Sequence, residues 1–467
     1  MQRKQARGFS RRDFLATSMV GLGLAGLPDW FVKEAMADEN ETASKAPREI
    51  GPNDTIQFAG IGLGGSRGGF CQGLNDTHAA ANHPGTKLMA LCDLCGLHLD
   101  EAAAGFGPEV AKYNDFRDVL ARKDIDAVVI GTPDHWHVLV ATAALKAGKD
   151  VYCEKPLTLT IDEGKKLVKV WKESGRTFQV GSQQRSDPRF RLACELVRNG
   201  RLGKISTVEA HLPTGPTGGP YNAEPVPSDF DFEMWLGPRP QVDYNQVRCF
   251  GNFRQYMDYS GGMMTDWGAH HNDIAQWGLG YDRSGPVEIE GTATKLPFDD
   301  YDPYRKAWQD TRIYGKKESL PADHNNWFDN YPEFRVVYTY ENGVQLITSN
   351  VGDNGVLFTG EAGWIFVSRS EIKASDQKLL DEPLPPDHIK LYVSNDHMGN
   401  FLGCIRTGED TICDAEIGHR SATVCHLGNI SMVLQRKLHW DPKKEHFVND
   451  GEANHYQRRP MRKPWTI

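Results

Sequence analysis

The chain has no excess of positive charge. Its 53 Lys and Arg stand against 62 Asp and Glu, a formal −9 over 467 residues, and like charges form no long block. That argues against nucleic acid as a partner. It also lacks an apolar run of membrane-spanning length, since the run from Leu15 to about Leu27 is too short. Nine cysteines make an odd number without regular spacing. The single C-x-x-C, Cys92-Asp93-Leu94-Cys95, has no second pair or histidine at zinc distance, so no metal site is expected. The acidic run Asp299-Asp300-Tyr301-Asp302 lacks EF-hand spacing. It reads as a solvated loop within an irregular aromatic insertion at 299–333. Paired carboxylates of the kind that hydrolyse glycosides directly are also missing.

What the sequence does contain starts with an address. Ser10-Arg11-Arg12-Asp13-Phe14-Leu15 is a twin-arginine signature, the apolar run follows it, and Ala35-Met36-Ala37 offers a cleavage site. Residues 1–37 therefore read as a signal peptide for export to the periplasm, with no stable membrane insertion once it is removed. Residues 38–52, with Pro47 and Pro52, read as a linker.

From residue 53 to 182 the pattern alternates strand and helix, which predicts a doubly wound parallel sheet. A strand at 56–61 leads into Gly62-Leu63-Gly64-Gly65-Ser66-Arg67-Gly68 and a helix to about Leu74. Glycines there let the backbone approach a pyrophosphate at a helix N-terminus. Gly62, Gly64, Gly65, Ser66 and Arg67 are the candidate phosphate contacts. The glycine register departs from G-x-G-x-x-G, because Gly68 comes one step late. Asp93 closes the second strand, where a carboxylate meets the adenosine ribose or caps the next helix. Followed by Leu94 rather than Arg, it favours NAD over NADP. Thr132-Pro133-Asp134-His135-Trp136-His137 is the turn after a third strand. Its histidines face nicotinamide or substrate, or else cap and pack. The next strand ends in Cys153-Glu154-Lys155-Pro156. A strand interior has no use for such a charged pair, but a ligand cleft at the strand ends does. Lys155 is read as an active-site lysine.

Residues 183–440 form a second domain. Gln183 or Arg185, at the crossing between domains, would face nicotinamide or substrate. A Pro- and Gly-rich stretch at 213–240 reads as an ordered loop over the cleft. A helix starting at Thr265 or Asp266 puts Asp266, His270 and Asp273 at i, i+4 and i+7 on one face. A carboxylate one turn from an imidazole can orient it as a general base. His271 points about a quarter turn away. Asn342-Gly343 predicts a hairpin, residues 418–434 an amphipathic helix, and 441–467 a tail that is exposed or interface-forming.

The Gly-rich turn at 62–68, Asp93, T-P-x-x-x-H at 132–137, E-K-P at 154–156 and D-x-G-x-H at 266–270 together resemble the glucose–fructose oxidoreductase / inositol dehydrogenase / MocA family. Gly418-His419-Arg420-Ser421-Ala422-Thr423 and Arg459-Pro460-Met461-Arg462 are similar to its exported branch. The resemblance implies an α/β fold: an N-terminal Rossmann domain, then a C-terminal α+β domain with an open, mostly antiparallel sheet that often forms a homo-oligomer. It implies Lys155 as catalytic lysine, with His270 and Asp266 beside it. Glu154, Thr132, Pro133, His137 and Gln183 would lie near the cofactor, and Arg185, Trp267, His271 and Asp273 near the substrate. The implied reaction is hydride transfer between NAD and a hydroxyl of a sugar or cyclitol. A redox-neutral hydrolase that retains its NAD, as in glycoside hydrolase family 109, is the alternative. A non-catalytic sugar-binding protein is the third reading.

Overall fold

The computed structural model describes residues 26–45, 55–295 and 326–467. Six parallel strands make the first sheet: β1 (Ile56–Ile61), β2 (Thr86–Cys92), β3 (Ala111–Tyr113), β4 (Ala127–Ile130), β5 (Asp150–Cys153) and β6 (Phe178–Val180). Their order is β3-β2-β1-β4-β5-β6. The strands are short apolar runs because helices cover both faces, and β4 and β5 are buried at every position. The order of strand addition reverses between β1 and β4, which opens a crevice at their carboxyl ends. Helices α2 (Gln72–Ala81), α3 (Gly96–Phe106) and α4 (Asp134–Lys146) belong to this sheet, whereas α1 (Asp29–Lys45) and α5 (Pro188–Arg198) pack into the second domain's core.

The second sheet has nine strands. They are β7 (Ile205–His211), β8 (Glu288–Lys295), β9 (Glu333–Thr339), β10 (Gln345–Ser349), β11 (Gly355–Gly360), β12 (Gly363–Val367), β13 (Ile372–Ala374), β14 (Leu438–Asp441) and β15 (His446–Phe447). Only β7 and β10 pair in parallel. The expected hairpin joins β9 to β10, with Gly343 at φ 83°. Two helices lie against this sheet, α6 (Met263–Leu279) and α7 (Ala415–Leu434). Polar groups inside α6 are satisfied across the interface: Thr348 Oγ1 donates to Asn272 Oδ1 at 2.7 Å, and Tyr340 OH to Gln276 Oε1 at 2.7 Å. Helix α7 was expected to be amphipathic. It is buried nearly all round, because α6, the sheet and the first domain enclose it.

Residues 29–45 form one helix, which spans the expected cleavage site and the start of the expected linker. Phe31 and Ala35 are buried, Trp30 Nε1 donates to Leu380 O at 2.9 Å, and Arg191 lies over the Phe31 ring at 4.6 Å. The twin-arginine signature and most of the apolar run lie outside the described residues, as do 46–52 and 296–325, which hold most of the aromatic insertion. The domain boundary is also less sharp than a cut at 182. A helix at His397–Thr407 sends Met398, Phe401 and Leu402 into the first sheet's core beside Ile56 and Phe58. The tail folds back too, with Trp465 edge-on to Trp136 at 4.7 Å.

Candidate active site

The cleft at the β1/β4 switch point spans ≈ 840 Å³ of space, open solvent included. Gly62 (φ 77°) turns the chain where a Cβ would lie 2.6 Å from Thr132 N. The chain then makes an excursion over residues 65–71, closed by a bridge between Gly65 and Phe70, and α2 begins only at Gln72. The glycine that lets helix and strand meet is therefore Gly73. A Cβ there would lie 1.9 Å from Gly62 O. Neither Gly68 nor the residues beside it have this role. Ser66 donates its N–H (3.0 Å) and its hydroxyl to Glu101. Arg67 forms a fork with Asp229 at 3.0 and 3.1 Å. As candidate phosphate contacts, Ser66 and Arg67 are corrected: the excursion turns both toward α3 and the second domain.

Asp93 lines the cleft with Gly62 and Gly64. One oxygen accepts from Leu63 N (2.8 Å) and Gly64 N (3.2 Å), the other from Cys95 N (2.8 Å). It pins the glycine turn and does not cap α3, whose N-cap residue is Cys95. Over this end lies a strap from the second domain. Gly96 N donates to Asp229 O (2.7 Å), Asp231 N to Leu94 O (3.1 Å) and Leu97 N to Asp229 Oδ2 (3.1 Å). Phe230 and Trp235 of the strap line the cleft. Thr132 and Pro133 line it as well, and Thr132 Oγ1 is buried without a partner. His137 is set back, its nitrogens 2.8 Å from Pro156 O and 2.7 Å from Thr132 O. It joins the two turns rather than facing the open cleft. His135 packs instead against Trp235, contacting its carbonyl at 2.8 Å.

Lys155 precedes a cis peptide to Pro156. Its Nζ donates to Asp266 Oδ1 at 2.6 Å and to Asp266 O at 3.0 Å. Arg254 Nε lies 3.4 Å from the same carboxylate oxygen. Burial would raise the Asp266 carboxyl, but the Lys155 and Arg254 charges outweigh it and hold it below the usual range. Asp266 therefore serves Lys155 and not His270. The expected Asp266–His270 bond gives way because two cations from other elements compete for the carboxylate. His270 is buried, and its Nδ1 has no partner. Burial first, then the charges of Lys155 and Arg369, push it well below the ordinary imidazole value, so it is neutral at neutral pH. His271 is taken down to about 4 by burial, against a 2.8 Å contact with Asn354 Oδ1. Trp267 stands edge-on to His270 at 6.0 Å, with the Arg369 guanidinium 4.8 Å from its ring centre. Glu154 accepts from Gln183 Nε2 (2.7 Å) and Lys155 N (3.1 Å). Asp76 is pushed up beside it by burial and by the Glu154 charge.

Asp273 and Arg185 also need correction. Asp273 shares a face with Asp266 but sits two turns, about 10 Å, deeper along α6. There it accepts from Arg185 at 2.7 and 2.9 Å and from Ser421 Oγ at 2.6 Å. Arg185 also bonds Asp282 at 2.6 Å. Both residues form a buried ion pair beneath the site instead of a substrate surface, since a buried charge persists only when paired. Asp76, Asp229, Arg254, Gln184 and Arg369 escaped the sequence reading. Only the cation-rich composition of 248–254, with Arg248 and Arg254 among aromatics, hinted at any of them.

Comparison with known proteins agrees with this fold. Residues 56–182 match the model described as oxidoreductase family, NAD-binding Rossmann fold. Residues 217–313 and 319–467 match the oxidoreductase family, C-terminal alpha/beta domain. Inositol 2-dehydrogenase of Salmonella typhimurium is 31% identical over 144 residues, 31% of this chain and 40% of that enzyme. Its Rhizobium meliloti counterpart is 26% identical over 246 residues, 52% of this chain and 59% of that enzyme. The match thus spans about half the length of these curated relatives. Levoglucosan dehydrogenase, solved with NADH and levoglucosan, superposes with TM-score 0.59 at 19% identity, covering 82% of this chain and 99% of that one. The WlbA dehydrogenase from Bordetella pertussis, solved with NADH and UDP-GlcNAcA, gives 0.59 at 18% identity over 83% and 99%. At such identities the likeness is one of fold. Two domain models in the right order, over most of the chain, place it in the Gfo/Idh/MocA oxidoreductase family.

Proposed function

We propose that the protein transfers hydride between NAD and a hydroxyl-bearing carbon of a sugar or cyclitol. The observation that carries this reading is the 2.6 Å pair of Lys155, from the nucleotide domain, with Asp266, from the second domain, one turn before a neutral His270. The residues present fit NAD. Gly62 and Gly73 let strand, turn and helix start close up at the crevice, Asp93 stands at the ribose end, and the buried Thr132 hydroxyl lacks a partner among the described residues. Bound NAD supplies the hydride acceptor. Gly62, Gly64, Asp93, Thr132, Pro133 and Glu154 would hold it. His270 takes the hydroxyl proton, and Lys155, fixed by Asp266, donates to the oxygen and stabilises charge developing there. Sugars and cyclitols added to NAD-loaded protein should give reduced nicotinamide absorbance. Lys155→Met and His270→Ala should each lower that rate by about 100-fold or more. Full activity in both variants sinks the assignment.

The strap over the adenosine end favours a second reading, a hydrolase that retains and recycles its NAD. Cleavage of a chromogenic glycoside without net NADH would support it. Ser10 to Leu15 supports export by the twin-arginine route to the periplasm, to be checked by fractionation and N-terminal sequencing. Ala35 is enclosed in α1, so cleavage beside it requires α1 to be undocked. The outer face of the second sheet, with Trp364 exposed, suits a homo-oligomer, which gel filtration reads directly.

A further inference from the structure

Arg369 sits in the turn between β12 and β13, exposed at the mouth of the site. The turn is pinned by Ser368, whose N–H donates to Glu371 O at 2.9 Å. The guanidinium stacks on Trp267. Gln184 accepts from Arg369 Nε at 3.1 Å while its amide nitrogen donates to His270 O at 3.2 Å. The cation is thus tied to the same residue as the histidine, and among the described residues its two terminal nitrogens are left over. Among the described residues, no carboxylate lies within ion-pair range of it. The acidic groups around it are engaged elsewhere: Glu371 with Lys373 at 2.7 Å, Asp187 with Arg189 at 2.6 Å, Asp266 with Lys155 and Arg254, and Glu154 with Gln183.

Resting on the proposed sugar site, we propose that the substrate carries an anionic group, in the first instance a carboxylate, and that Arg369 binds it beside the carbon His270 and Lys155 address. A guanidinium held at Nε and stacked on an indole presents a planar fork, the geometry that matches a carboxylate. The charge balance agrees. Asp266 takes up Lys155 and Arg254, which leaves Arg369 without a carboxylate of its own among the described residues. His270 is faced by Lys155, Arg369, His271 and His397. An anion on Arg369 offsets part of that field and lets the imidazole take a proton more readily.

The test is calorimetric binding to NAD-loaded protein, which reads the site whether or not hydride moves. The probes are D-glucuronate and D-galacturonate, D-glucose and D-galactose, and a sulfated hexose. The acids should bind about 10–100-fold more tightly than the neutral sugars, the value of a charged hydrogen-bonded pair. In Arg369→Gln that preference should collapse toward unity, and Arg369→Lys should keep part of it. Binding of acids that depends on Arg369 but yields no NADH upholds this proposal and overturns the dehydrogenase reading. Preference for the sulfated hexose alone keeps the anion and overturns the carboxylate. Equal binding of acids and neutral sugars, no binding of any acid, or an unchanged preference in Arg369→Gln overturns the whole.

Discussion

Replacing Asp266 by Asn keeps the shape of the residue and removes the one charge that Lys155 and Arg254 share. With Oδ1 at 2.6 Å and 3.4 Å from their nitrogens, the attractions are about 6 and 5 kcal/mol at an effective dielectric near 20. Desolvation of the three groups offsets much of this. What remains is the cost of leaving cations enclosed without their partner, about 3–5 kcal/mol for buried pairs. The side chains are 12% to 17% exposed, which sets the expectation near the lower bound. At roughly 1 °C per kcal/mol for a chain of this size, it should melt about 3 °C lower. Because the Asp266 carboxyl is held down in the folded state, its contribution is complete above the ordinary carboxylate value. It is lost as pH falls through the folded-state value, so calorimetry belongs near neutral pH. Lys155→Met in the same background should recover part of the deficit, with a coupling of at least about 1 kcal/mol. A single variant that melts within about 1 °C of the parent, or deficits that simply add, would refute this account of the pair.

Gly73→Ala puts a Cβ 1.9 Å from Gly62 O, so α2 must shift. Stability should fall by about 1–3 kcal/mol, and NADH affinity, read by fluorescence titration, should fall by at least about tenfold; unchanged affinity would remove Gly73 from the site. His426 is buried and depressed to about 3 by burial, with a 3.0 Å contact to Thr158 O. A depressed histidine is neutral when folded, whereas the unfolded chain binds a proton below about 6.5. The stability gap between the parent and His426→Asn should narrow by roughly 1.4 kcal/mol per unit as pH falls from 6.5 toward 4, measured by urea midpoints. A gap that stays constant means that His426 is charged in the folded state.

Much of the fold was legible because apolar runs, glycine turns and helix periods act locally. Asn342-Gly343 and the β4–α4 turn fell where local chemistry put them. Lys155 was legible too, since a charged pair at the end of an apolar strand has few other uses. Its partner was not. Helical phase put Asp266, His270 and Asp273 on one face, but phase says nothing of depth or of which cations arrive from other elements. Arg254 and Arg369 come from aperiodic loops, so only folding brings them to the site. Gly73 was hidden because the excursion over 65–71 displaces the helix from its usual start. Ala35-Met36-Ala37 reads as a cleavage site, and it lies in a helix whose Phe31 enters the second domain's core while Met36 stays exposed.

The latch at Asp229 has a bearing on how a nucleotide gets in. Its hydrogen bonds end on Arg67 and on the first turn of α3, so the roof of that chamber is completed only when distant downstream chain has folded back. Opening that roof must undo an arginine–carboxylate fork together with the main-chain bonds beside it.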